Sequence, residues 1–124
     1  MQVSQFPQRL SITIFTDGSC HTQLKTGGWA AIILQGDEKI ILKGGSHNTT
    51  HQRMELTAVM ESLHYLQQQG LADQHVVIYS DSQYVVDLLD RRSRLISSEF
   101  KTRKLKSVTN SDLVRQFLQL IATL

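Results

Sequence analysis

The sequence predicts a mixed α/β fold of one domain, with three antiparallel strands, a parallel fourth strand and helices packed on the sheet. Three observations predict it. Short apolar runs with period-2 alternation or continuous burial come first and recur once after a long helical pattern. Gly-rich breaks separate the first three runs at hairpin spacing. The long helical pattern then connects the third run to the fourth as a crossover does, and right-handed closure lays the fourth strand beside the first.

Residues 1–8 read as an irregular, flexible arm that ends at Pro7 and Gln8. Leu10, Ile12 and Ile14 alternate, which predicts a strand to about Thr16. Gly27 and Gly28 precede a second strand, Trp29 to Gln35, and Gly36-Asp37 turns the chain into a third, Lys39 to Lys43 or slightly beyond. Thr50 is placed to cap a helix running to Gln69, with Gly70 as its stop. Met54, Ala58, Leu63 and Leu66 form its inward stripe. A buried-type strand follows, His75 to Ser80, then a short helix from Ser82 with Val85, Val86, Leu88 and Leu89 inward. The next stretch is irregular or partly helical. Asn110 then caps a last helix with Leu113, Val114, Phe117, Leu118 and Ile121 apolar, a pattern that continues to Leu124.

The 124 residues suffice for one modest core. Hydrophobic content of 40% and charged content of 19% suit a soluble globular chain. No signal peptide and no membrane-length apolar run is visible. Cys20 is the single cysteine, which excludes an intrachain disulfide and a cysteine zinc knuckle and suits a cytoplasmic, reducing setting. The five histidines show no ligand spacing; His47 and His51 straddle a helix start. Net charge is only +2, yet Arg91, Arg92, Arg94, Lys101, Arg103, Lys104 and Lys106, seven of the thirteen basic residues, share one stretch with Glu99 as its only acid. A solvated loop is the ordinary reading of such a run. Beside a phosphodiester site it reads instead as a tracker of phosphates.

That site is suggested by three carboxylates. Asp17 closes the first apolar run, Glu55 lies one turn into the long helix, and Asp81 closes the fourth run. An Asp after a strand is most often a turn former or a helix cap. The connectivity nevertheless brings all three to one sheet edge, where open α/β sheets bind ligands. Mg²⁺ prefers a few carboxylates and retained water, and phosphodiester chemistry is the usual task of such a set.

The blocks Phe15-Thr-Asp-Gly-Ser-Cys20, Arg53-Met-Glu-Leu56 and Tyr79-Ser-Asp-Ser-Gln-Tyr84 closely resemble the type 1 ribonuclease H family, and Asn110-Ser-Asp-Leu113 resembles the start of that family's fourth helix. The resemblance covers nearly the whole chain in the family's order. It implies a ribonuclease H-like mixed sheet and metal-dependent endonucleolytic hydrolysis of the RNA strand of RNA–DNA hybrids. It also implies up to two Mg²⁺ ions, with Mn²⁺ as substitute. By similarity Asp17 would bridge both ions, Glu55 and Asp81 would complete the ion on the leaving-group side, and Glu55 would sit near the RNA 2′-hydroxyl. Gly18, Ser19 and Cys20 would approach the RNA strand. Gln52 and Gln83 would contact the minor groove, and Thr50 would join a pocket for a DNA phosphate. Lys101, Arg103, Lys104 and Lys106 would follow the backbone. Gln23 would contact substrate from a loop, His21 to Thr26, that departs from the family's Asn-Pro-Gly pattern.

The resemblance also implies a fifth strand, a His-bearing loop, a fourth catalytic Asp and a final helix. These 124 residues match none of those elements, so the domain reads as C-terminally truncated, with one ion site incomplete. Asp112 does not replace the fourth Asp by motif, because it belongs to the first turn of the last helix. Two readings follow: a hybrid-specific ribonuclease, or a catalytically impaired hybrid-binding module. An integrase-like core is a third, which the Arg-Met-Glu-Leu and Ser-Asp-Ser-Gln blocks disfavour. An exposed fourth strand would further invite a homodimer.

Overall fold

The structure, a computed structural model, describes residues 11–71, 74–102 and 108–122. The arm 1–8, Arg103, Lys104 and Lys106 lie outside the described residues. The elements in order are β1 (Ser11–His21), β2 (Thr26–Gln35), β3 (Glu38–Ser46), α1 (His51–Gln68), β4 (His75–Ser80), α2 (Gln83–Asp90), α3 (Arg92–Ser97) and α4 (Ser111–Ala122). They form a four-stranded sheet in the order β3-β2-β1-β4. β1 pairs antiparallel with β2 and parallel with β4, and β2 pairs antiparallel with β3, as expected.

The strands run further than their apolar runs. β1 continues past Thr16 to His21, so Asp17 lies inside the strand, opposite Ala30, and does not end it. Backbone pairing carries the polar residues Asp17 to His21, because Gly27 and Gly28 present free ladder groups opposite Cys20 and Ser19. β3 extends through Gly44, Gly45 and Ser46 for a related reason. The Trp29 indole fills the space a Gly44 side chain would need: a Cβ there would lie 2.7–2.9 Å from three of its ring atoms.

The α1 boundaries match expectation. The Thr50 hydroxyl accepts from the Arg53 N–H at 3.2 Å, and Gly70 takes a left-handed φ of 69° after the C-cap Gln69. The amphipathic stripe reaches the core as read, with Met54, Ala58, Leu63 and Leu66 buried and Leu56, Val59, Met60 and Ser62 buried beside them. In α2 the inward pair is Val85 and Leu88. Val86, expected inside, is 42% exposed, because one eight-residue helix presents only one face to α1. Part of the basic stretch is the short helix α3, which buries Leu95.

Two apolar clusters meet at Ile78. One joins Leu56, Val59 and Leu63 of α1 to Val85, Leu88, Leu95, Val114 and Phe117. The other sets Ile12, Ile14, Ala31 and Ile33 of the sheet against Leu66. The opposite sheet face carries Phe15, whose ring stacks on Tyr79 at 5.2 Å between centroids. The register lines Ile41, Ile32, Phe15 and Tyr79 across all four strands. Three of them are exposed, Ile41 to 58%, Phe15 to 45% and Tyr79 to 56%.

Candidate active site

Parallel pairing of Thr16 with Ser80 brings the next residues, Asp17 and Asp81, off neighbouring strands at the same level. Glu55 is brought up by a close backbone approach. Gly18 faces α1, and a Cβ on it would fall 2.5 Å from the Glu55 nitrogen and 2.6 Å from the Met54 oxygen. Only a residue without a side chain lets β1 lie this close to the first turns of α1.

Glu55 is held on both oxygens. Ser82, directly after Asp81, donates its hydroxyl to Oε2 at 2.5 Å. His51, one helical turn earlier, places Nε2 2.8 Å from Oε1. Ser82 is buried, and its oxygen also accepts from the Val85 N–H at 3.2 Å, capping α2. One hydroxyl thus ties the start of α2 to the Glu55 carboxylate. Sequence reasoning missed both partners. The signals were present: His51 is four residues before Glu55, and Ser82 adjoins Asp81. Among the described residues, no three His, Cys, Asp or Glu side chains converge into a group that holds a metal ion as they stand. The set of Asp17, Glu55 and Asp81 is nevertheless all hard oxygen, the chemistry that Mg²⁺ and Mn²⁺ select.

Residues expected to contact substrate fall in three places. Gly18 is buried against α1, while Ser19 is exposed on β1 opposite Gly28. Asp17, Gly18 and Ser19 line an open cleft with Trp29, Lys43 and Gly44. Cys20 and Thr50 line a second cleft of about 330 Å³ with Thr22, Lys25, Asn48, Thr49 and His51. Two bonds draw its walls together: Thr49 N–H donates to the Lys25 carbonyl at 3.0 Å, and Cys20 Sγ donates to the Thr49 carbonyl at 3.3 Å. Thr50 therefore has two roles, as α1 cap and as cleft wall. Lys25 and Asn48, both at positive φ (53° and 50°), are wall residues that sequence reasoning did not single out. Gln23 is exposed in the β1–β2 turn, and Gln52 is exposed on α1. Gln83 is exposed too, with its amide donating to Asp87 at 2.8 Å. Lys101 is exposed just past the end of α3.

Asn110 departs from its expected role. Its φ is 59°, and its side chain bonds away from its own helix: Oδ1 accepts from Arg53 at 3.3 Å and Nδ2 donates to the Tyr84 hydroxyl at 3.2 Å. Asp112 takes both Arg53 terminal nitrogens, at 3.0 and 2.9 Å. The Arg53 fork holds the Asp112 carboxyl down at about 2, and the same bond raises Arg53. Asp112 is therefore committed to Arg53.

The sequence matches the RNase H family over residues 9–123. The chain belongs to the ribonuclease H family. Ribonuclease H of Chlorobium luteolum is 43% identical over 116 residues, covering 90% of this chain and 75% of that protein. Ribonuclease H of Moorella thermoacetica is 37% identical over 110 residues, covering 87% and 70%. Two solved structures share the fold. LC9-RNase H1, a type 1 RNase H with the type 2 active-site motif, superposes with a TM-score of 0.76 at 22% identity, over 95% of this chain and 60% of that one. The foamy viral protease-reverse transcriptase in complex with dsDNA does so with 0.74 at 17% identity, over 92% and 76%. The chain is thus a ribonuclease H-type enzyme, a nuclease among hydrolases, and its mixed sheet is the ribonuclease H-like one expected from the sequence.

Proposed function

We propose that this ribonuclease H cleaves the RNA strand of RNA–DNA hybrids endonucleolytically, with Asp17, Glu55 and Asp81 holding up to two Mg²⁺ ions, or Mn²⁺ in their place. The observation that carries the reading is the meeting of β1, α1 and β4 at one edge, built by the Gly18 approach and the Ser82–Glu55 bond. Bound ions would supply an activated water and charge neutralisation at the scissile phosphate. The chain's own residues do the rest. Ser82 fixes Glu55 Oε2, so Glu55 turns its other oxygen outward. That oxygen is occupied by His51, whose side chain is 58% exposed and yields more readily than buried Ser82. Glu55 Oε1 is therefore the oxygen that would be offered to an ion, with His51 giving way.

The hybrid would lie along this edge. Gly18, Ser19 and Cys20 would meet the RNA backbone. Gln52 and Gln83 would reach the minor groove, where 2′-hydroxyls distinguish RNA from DNA. Thr50, with Lys25 and Asn48, would receive a DNA phosphate in the second cleft. Lys101 and its basic neighbours in sequence, Arg103, Lys104 and Lys106, would follow the backbone. A homodimer through β4 is part of the proposal. It is supported by the outermost position of β4 among the described strands and by the apolar row ending at Tyr79. A reducing compartment such as the cytoplasm suits the free thiol of Cys20.

The test compares wild type with Asp17→Asn, Glu55→Gln and Asp81→Asn in hybrid cleavage and in calorimetric Mn²⁺ titration, with single-stranded RNA as control. Each variant is expected to lose most ion affinity and cleavage. Normal cleavage by Asp17→Asn would overturn the site. The alternative is a catalytically impaired hybrid-binding module, in which Asp112, held by Arg53, adds no fourth carboxylate to the set. It predicts tight hybrid binding by wild type without cleavage in either metal.

A further inference from the structure

The start of α4 touches α1 beside Glu55, α2 beside Asp81 and the residues from which the basic segment departs. Asp112 and Asn110 together hold the Arg53 fork, which sits two residues before Glu55 in α1. Asn110 also binds the hydroxyl of Tyr84, three residues after Asp81. One turn along, Arg115 reaches the other way. Its Nη2 donates to the Glu99 carbonyl at 3.2 Å, and its guanidinium carbon lies 4.5 Å from the centre of the Phe100 ring. Glu99 and Phe100 are the residues from which the basic segment departs. They hold consecutive left-handed φ angles of 55° and 61°, a conformation costly for residues with side chains and kept only where surrounding contacts determine it. The segment closes on the same place, where the Val108 N–H donates to the Phe100 carbonyl at 2.8 Å.

We propose that the start of α4 is a bracket that sets the spacing between the carboxylate edge and the described ends of the basic segment at Glu99, Phe100 and Val108, with Arg115 as its positioning residue on the basic side. The two halves are built alike, each with a planar guanidinium. A lysine would keep the charge of Arg115 but lose the flat stack on Phe100 and the fixed direction of its N–H toward Glu99. Buried Val114, Phe117 and Leu118 hold the turn in the core, so the bracket has a rigid base. Its action is on register: it fixes where Phe100 and Val108, the ends of the basic segment, stand relative to Asp17, Glu55 and Asp81.

The inference rests on the hybrid-cleaving reading, and the experiment separates the two. Wild type, Arg115→Ala and Arg115→Lys are compared by fluorescence anisotropy with an RNA–DNA hybrid, by calorimetric Mn²⁺ titration and by thermal melting. Arg115→Ala is expected to weaken hybrid binding about tenfold, ~1.4 kcal/mol, with Mn²⁺ affinity unchanged and melting within a few degrees of wild type. Arg115→Lys is expected to bind as weakly as Arg115→Ala although its charge is kept. Rescue by lysine would make Arg115 a simple phosphate contact and overturn the bracket. Wild-type binding by both variants would overturn it as well, as would an equal fall in Mn²⁺ affinity. No hybrid binding by wild type would instead refute the functional reading beneath it.

Discussion

Gly18→Ala tests the tightest joint in the molecule with the addition of one methyl group. The new Cβ would stand 2.5 Å from the Glu55 nitrogen and 2.6 Å from the Met54 oxygen, where ordinary contact begins at 3.4 Å. Both neighbours are backbone atoms in a helix, so no side chain can rotate away. The Met54 carbonyl carbon is nearer still, so α1 and β1 must separate by about 1 Å to restore contact distance. Overpacking of this kind typically costs about 1–3 kcal/mol, and the rigid neighbours place Gly18 at the upper end. A loss of about 3 kcal/mol in a chain of this size corresponds to a fall in melting temperature of roughly 10 °C. Glu55 moves with α1, away from Asp17, so the rise in melting temperature expected of wild type on adding Mn²⁺ should shrink as well. The control is Gly28→Ala, whose Cβ would meet only the Gly44 oxygen, at 3.6 Å, and is expected to melt within about 1 kcal/mol of wild type. The assay is thermal melting with and without Mn²⁺, alongside hybrid cleavage. A Gly18→Ala protein that melts, binds Mn²⁺ and cleaves like wild type would refute the close approach as the device that brings Glu55 to the site.

Three further outcomes are expected. The Arg53 fork holds the Asp112 carboxyl down at about 2, below the usual carboxylate range. Its contribution is therefore fully present above about pH 4 and lost as pH falls toward 2. Asp112→Asn is expected to remove a stabilisation of about 1 kcal/mol or less, given its exposure, and to flatten urea-measured stability between pH 4 and 2; identical acid profiles would contradict the Arg53 pairing. Replacing Arg103, Lys104 and Lys106 with Ala is expected to lower the slope of log affinity against log salt by about 0.7–0.9 per lost phosphate contact, and an unchanged slope would return the segment to an ordinary solvated loop. Sedimentation at micromolar concentration is expected to show a dimer that Tyr79→Lys weakens, since a charge on the apolar row opposes face and edge association; a stable monomer of wild type would remove the β4 interface.

Much of the fold was legible because its signals are local. Gly36-Asp37 makes the two-residue β2–β3 turn, Thr50 and Gly70 bound α1, and the apolar run His75–Ser80 is β4 residue for residue. What failed to show was pairing carried by backbone alone. Asp17 to His21 have loop-like side chains, yet they sit in a strand because the glycines of β2 complete their ladder. The three carboxylates could be placed at one edge from connectivity. The hands that hold Glu55 could not, since His51 reads as an isolated histidine and Ser82 as a helix cap until both are seen against one carboxylate. Asn110 misled for the opposite reason. Its residue type suits a cap, but Arg53 and Tyr84 compete for its amide and win it.

The in-register parallel pairing of β1 with β4 also orders events in time. β1, β2 and β3 are joined by short turns, so their contacts are near in sequence and quick to form. Asp17 is thus in its strand early, while Asp81 arrives only when the crossover through α1 closes and β4 docks on β1. A chain emerging from the ribosome can carry a complete hairpin sheet and still have no two carboxylates side by side. The carboxylate edge is thus closed by a contact distant in sequence, that of β4 with β1.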